Sequence, residues 1–185
     1  MKRILALLLC LALFASCEAT QSTQFVQTDE LEVIYADNRE LLERAADAIQ
    51  TAFADADIPG EGWTNCWIYR EGGIEWIEEP DVVRGSLCFS TFYNHEPGKA
   101  DSREFVLTEA LCDDLYPAVE PLLSASAVDH IFRSDRSIHF TVQSEWGWEA
   151  FIAYQPNGGE PRGSFSEGLT IKEVAPNWWV VTNHD

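Results

Sequence analysis

Positions between 31 and 53 return at alternating spacings of three and four and, Asn38 apart, are apolar: Leu31, Ile34, Asn38, Leu41, Ala45, Ala48 and Ala52, with Leu42, Ile49 and Phe53 widening the stripe. That period matches the 3.6-residue turn of a helix with one buried face. The pattern predicts one long amphipathic helix over 29–55. Thr28 is the expected N-cap, and Asp29 and Glu30 place acids in the first turn. A break at Asp37-Asn38, with Asp37 recapping, is the alternative. Asn38 interrupts the stripe and is expected to find a partner in the core rather than a ligand.

The period then changes to two. Trp67-Ile68-Tyr69-Arg70-Glu71 and Ile74-Glu75-Trp76-Ile77-Glu78 flank Gly72-Gly73. This pattern predicts a β-hairpin, because two glycines supply the positive φ values of a type I′ turn. Its register would set Tyr69 opposite Trp76 and Arg70 opposite Glu75. Further strands are expected near 85–93 and 104–107, separated by a polar loop over 94–103. A second helix starts at Thr108 as cap, and Pro117 and Pro121 predict that it is kinked or split. The final third alternates as a meander over 128–133, 137–143, 149–155, 169–174 and 178–182. Turns are expected at 134–136 and 175–177, with a Gly/Pro/Ser-rich loop over 156–168. The expected class is α+β, with two helices packed on an antiparallel, meander-like sheet.

The first residues have a different character. Lys2 and Arg3 precede an uncharged apolar run from Ile4 to Ala15, too short to span a bilayer as a mature helix. The run ends in Leu13-Phe14-Ala15-Ser16-Cys17, which resembles the lipobox of bacterial lipoprotein precursors. The resemblance implies cleavage before Cys17 and a diacylglyceryl group on its sulfur. It divides the chain into a signal peptide (1–16), a lipidated cysteine with a flexible tether (17–28) and one domain (29–185). Cleavage after Ala19 with free release, or retention of the leader as a membrane helix, are the alternatives. Two or more acyl chains hold a protein stably where one does not. The helix, the meander and the closing Asn177-Trp178-Trp179-Val180-Val181 are also similar to small lipid-anchored proteins of Gram-positive gut bacteria. That likeness brings no activity.

Without residues 1–16 the chain keeps ten Lys and Arg against 31 acids, a formal charge of −21. Such a charge excludes nucleic-acid binding, which needs clustered cations, and disfavours adsorption to anionic lipid. The membrane is therefore expected as a partner only through the lipid anchor. Cys66, Cys88 and Cys112 follow Cys17 in the mature chain. Export permits disulfides, and an odd count allows one intrachain bridge, for which Cys66 with Cys88 is the candidate. The alternative is that all three are small buried hydrophobes.

Motifs for chemistry are missing from the sequence. The glycines form no nucleophile elbow, P-loop or dinucleotide fingerprint. Asp55-Ala56-Asp57 begins like a calcium loop, but Pro59 and Cys66 stand at ligand positions. His130 and His139 flank the 134–136 turn. A two-residue loop would set them face to face, and a three-residue loop would set His130 opposite Phe140. No third ligand is evident, so no metal or cofactor is assigned. Glu145-Trp146-Gly147-Trp148-Glu149 invites a glycan site, with indoles stacking on sugars and acids doing acid/base work. The competing reading is a bend whose indoles cover the core edge. Trp178 and Trp179 must point to opposite faces of their strand, one into the core. The expected function is non-catalytic binding of an envelope protein or glycan through Trp146, Trp148 and Trp179, with no catalytic residue assigned. A glycan hydrolase using Glu145 and Glu149 and a purely structural envelope protein are the alternatives.

Overall fold

The computed structural model describes residues 25–55, 62–95, 107–134, 136–145, 147–161 and 168–184. Its elements are α1 (Thr28–Asp55), β1 (Gly62–Arg70), β2 (Val82–Arg84), β3 (Leu87–His95), α2 (Glu109–Ser124), β4 (His130–Arg133), β5 (Ile138–Glu145), β6 (Trp148–Tyr154), β7 (Leu169–Ala175) and β8 (Trp178–His184). The strands form one antiparallel sheet in the order β2-β3-β1-β4-β5-β6-β8-β7. This is the α+β architecture that the periodicity predicts.

α1 is unbroken, and its stripe of Leu31, Leu42, Ala45, Ile49 and Phe53 is buried. Asn38 satisfies itself locally, its Nδ2 donating to the Ile34 carbonyl at 2.9 Å. The cap lies one residue before the expected Thr28. Leu31 N–H donates to the Gln27 carbonyl (3.0 Å), and Glu30 reaches back to accept from Gln27 N–H (2.8 Å). That is the return half of a capping box. Thr28 instead meets the Thr182 hydroxyl at 3.1 Å. Residues 25–28, read as the end of the tether, dock on the sheet: Phe25 stacks on Trp148 at 4.2 Å, and Val26 N–H donates to Gln143 Oε1. The rest of the tether lies outside the described residues.

α2 begins as expected, with Thr108 Oγ1 accepting from Leu111 N–H at 3.2 Å. It is neither split nor ended by proline; Pro117 and Pro121 both lie inside a continuous 16-residue helix. They sit outside the buried stripe of Cys112, Leu115, Val119, Leu122 and Leu123, so the lost amide bonds fall away from the packed face.

The Gly72-Gly73 hairpin does not form. β1 is central in the sheet, with β3 on one edge and β4 on the other, so no edge remains for 74–78. β3 pairs with all nine residues of β1, more ladder than the short hairpin offered. Tyr69 faces Cys88, not Trp76. Residues 71–77 turn twice, through Gly73 N–H to the Arg70 carbonyl and Ile77 N–H to the Ile74 carbonyl. The tight hairpin of this region lies at Gly85-Ser86, where Arg84 pairs with Leu87 and Gly85 has a φ of 60°. A Cβ at Gly85 would come within 2.7 Å of the Tyr116 hydroxyl on α2. The strand expected near 85–93 is β3. Of the one near 104–107 only Leu107 is described, buried and outside any strand.

Both helices cover one face of the sheet. Leu31, Leu42 and Ile49 of α1 and Leu115, Val119 and Leu122 of α2 pack with Ile68, Phe89, Ile131, Phe140, Ile152 and Val180. Alternation sends the intervening strand residues to the opposite face. Among the described residues no helix covers that face. It carries two smaller apolar clusters, Tyr69 with Ile74 and Cys88, and Phe151 with Ala153 and Val181.

Candidate functional site

The helix-free face holds a row of aromatic rings that crosses the sheet. Trp76, in the segment after β1, meets Trp67 edge-on at 5.3 Å. Trp67 on β1 contacts Phe132 on β4 at 4.9 Å, and the two are directly paired in register. Phe132 meets its own partner, His139 on β5, at 5.7 Å, and His139 stacks on Phe151 of β6 at 4.4 Å. Such cross-strand pairs stabilise the sheet and fix the ring positions.

Burial falls along this row. Phe151 and His139 are buried, Phe132 and Trp67 are half-buried, and Trp76 is 68% exposed. Phe92 on β3 and Val83 on β2 share the face and are each 53% exposed. Exposed large apolar side chains gathered on one face mark an interaction surface more often than isolated ones do. Glu71, Glu75, Glu78 and Glu79 surround Trp76 in sequence and are exposed. Asp81 is engaged, accepting from the Thr91 N–H and hydroxyl.

Deeper on the same face lie polar groups with no hydrogen-bond partner among the described residues: Thr141 Oγ1, Glu149 Oε2, Trp179 Nε1 and both amide atoms of Asn183. Glu149 and Asn183 are paired in register, and Thr141 lies on the next strand. A buried polar atom left unpaired costs about 1–3 kcal/mol, whereas its apolar isostere does not. Thr141→Val is therefore expected to raise stability by roughly 1 kcal/mol, read by urea denaturation. A loss of that size would show that the hydroxyl is bonded in solution.

The histidines are held by this frame. The β4–β5 register sets His130 opposite Thr141 and Phe132 opposite His139, which neither loop length considered above would give. His139 Nε2 lies 3.0 Å from Ser137 Oγ, and His130 Nδ1 lies 3.1 Å from Asp129 Oδ2. Burial, with His130 adding a smaller push, lowers the His139 pKa to about 4. Among the described residues no group of three His, Cys, Asp or Glu could hold a metal ion.

The residues expected to form the binding surface separate. Trp148 is buried at 6% exposure on the helix side, against Phe25. It is core edge, not surface, because the Glu145–Trp148 pairing turns it inward beside the β5–β6 turn at Gly147. Trp146 lies outside the described residues. Trp179 is half-buried on the helix-free face with Phe151, and Trp178 fills the core. Glu145 shares the Trp148 side of the pleat and Glu149 points to the other, so the two carboxylates cannot flank one glycosidic bond.

The proposed disulfide is also absent. Cys66, Cys88 and Cys112 are free and buried. Cys66 pairs with Thr91 and Cys88 with Tyr69, which places the two thiols on opposite faces of the sheet. Burial raises each thiol pKa, that of Cys112 to about 11, so none is an activated nucleophile.

Sequence reasoning missed Trp67, Trp76, Phe92 and Phe132 as a group. Alternation does place Trp67 and Tyr69 on one face, but only the long-range β1–β4 register brings Phe132 to Trp67. No helix among the described residues is long and apolar enough to cross a membrane. Compared with known proteins, the chain matches no family model, no curated protein and no solved structure.

Proposed function

We propose that this chain is a lipid-anchored, extracytoplasmic and non-catalytic protein that holds an envelope protein or glycan on the helix-free face of its sheet. The observation that carries the binding part is the aromatic row ending in Trp76, which is 68% exposed and meets Trp67, itself in contact with Phe132. Rigid aromatic side chains lose little entropy on binding and contribute strongly as interface anchors. The anchoring part rests on the sequence up to Cys17.

Trp76 is surface-exposed, so Trp76→Ala is expected to leave stability within about 0.5 kcal/mol of the parent. The same change should weaken retention of the protein by an envelope extract in a pull-down. Undiminished retention by a folded variant would remove Trp76 from the site. Anchoring is read separately. Intact mass of the protein recovered from a bacterial host is expected to show Cys17 as a diacylated first residue, and Cys17→Ser should release the protein from the membrane fraction. An unmodified mature N-terminus at Thr20 would overturn that part.

A further inference from the structure

We infer that the partner of the Trp76 surface is a cationic polypeptide segment, rich in Lys or Arg, rather than a neutral or acidic ligand. The inference rests on the binding role proposed for this face and gives it a chemistry. Glu71, Glu75, Glu78 and Glu79 stand exposed within a nine-residue stretch around Trp76. Among the described residues none of the four makes an ion pair. Two nearby charges are used or outnumbered: Arg84 is bound to Asp113 at 2.6 Å, and Arg70 is one cation beside four acids. With 31 acids against 12 Lys and Arg, most acids of this chain go unpaired, and these four lie in sequence around Trp76, which is 68% exposed.

The combination selects for charge. An ammonium or guanidinium group is attracted to an indole face, and carboxylates beside the ring add to that attraction. A neutral sugar gains the stacking and hydrogen bonds from its hydroxyls to the carboxylates, but no attraction of opposite charge. An anionic glycan or phosphate is repelled by them and by the whole chain, whose formal charge is −19 with the leader and −21 without it. Phe92 and Val83 extend the apolar surface beside the acids, giving the stems of Lys or Arg side chains something to lie on.

The test uses the full chain and three probes: a Lys/Ser peptide, a Glu/Ser peptide of equal length, and a neutral N-acetylglucosamine oligomer. The Lys/Ser peptide is expected to bind, and to weaken as salt is raised past the point where the screening length falls below about 5 Å. Trp76→Ala and the double variant Glu75→Gln/Glu78→Gln should each weaken it about tenfold, the scale of losing an anchor or a pair of favourable charges. Glu40→Gln/Asp47→Asn, which removes two exposed acids from α1 on the other side of the sheet, should bind as the parent does. Circular dichroism confirms that each variant is folded. Equal weakening by the α1 variant, or equal binding of the Glu/Ser peptide, would overturn the inference. Binding of the sugar oligomer that is lost with Trp76→Ala but kept with Glu75→Gln/Glu78→Gln would also overturn it while leaving the face as a binding site. Binding of no probe, with envelope retention indifferent to Trp76→Ala, would overturn both readings.

Discussion

Trp178→Ala is expected to destabilise the protein by about 3–5 kcal/mol, the range for removing a large aromatic from a packed core. Trp178 is 4% exposed and touches three rings from three elements: Tyr35 of α1 at 5.5 Å, Phe140 of β5 at 5.9 Å and Tyr154 of β6 at 4.9 Å. It is thus one of the points where the long helix is fastened to the sheet. A loss of this size is a large part of the roughly 5–15 kcal/mol that holds a domain together. It corresponds to a drop of about 10 °C or more in Tm for a chain of this length. Trp179→Ala supplies the comparison, since Trp179 is half-buried on the opposite face and should cost much less. Equal losses at the two positions would mean that the face assignment of β8 is wrong.

Acid is expected to unfold this protein partly through His139. The ring is buried between Phe132 and Phe151, and its pKa falls from the ordinary 6.5 to about 4. The unfolded chain therefore binds a proton at a pH where the folded one does not. Stability from this group is complete above about pH 6.5 and is lost as pH falls toward 4, where folded and unfolded forms both take the proton. Integrated over that window the loss approaches roughly 3 kcal/mol. His130 on β4, with Asp129 beside it, faces the same region. His139→Phe keeps an aromatic ring between its neighbours and cannot protonate. The gap in unfolding free energy between parent and variant should therefore move by about 3 kcal/mol in favour of the variant between pH 7 and pH 4. A gap that stays constant with pH would mean that His139 is not kept neutral by burial.

Much of the fold could be read along the chain. The 3.6-residue stripe from Leu31 to Phe53 located α1 to within a residue or two, because an amphipathic helix repeats its contacts every turn. The Thr108 cap and the five closing strands were equally local, each written in a turn residue or an alternation. The errors came where two local signals competed for one edge. Gly72-Gly73 carries every feature of a hairpin turn, yet β1 spends both edges on strands far from it in sequence. Gly85-Ser86 carries the weaker signal and makes the turn. The prolines of α2 do not split it, because both sit outside the buried stripe and the amide bonds they remove fall away from the packed face.

The sequence by itself determined the class of the protein, the helix that covers the sheet and the alternation of its strands. Those features depend on neighbours within a few residues, so composition and period suffice to specify them. Only the tertiary structure decided which aromatic residues meet. Trp148 went into the core edge, Trp76 came out, and Trp67, Phe132, His139 and Phe151 joined into one row. The row and the place of Trp148 rest on register between strands up to about 70 residues apart in the chain, and a shift of one residue would send every side chain to the other face.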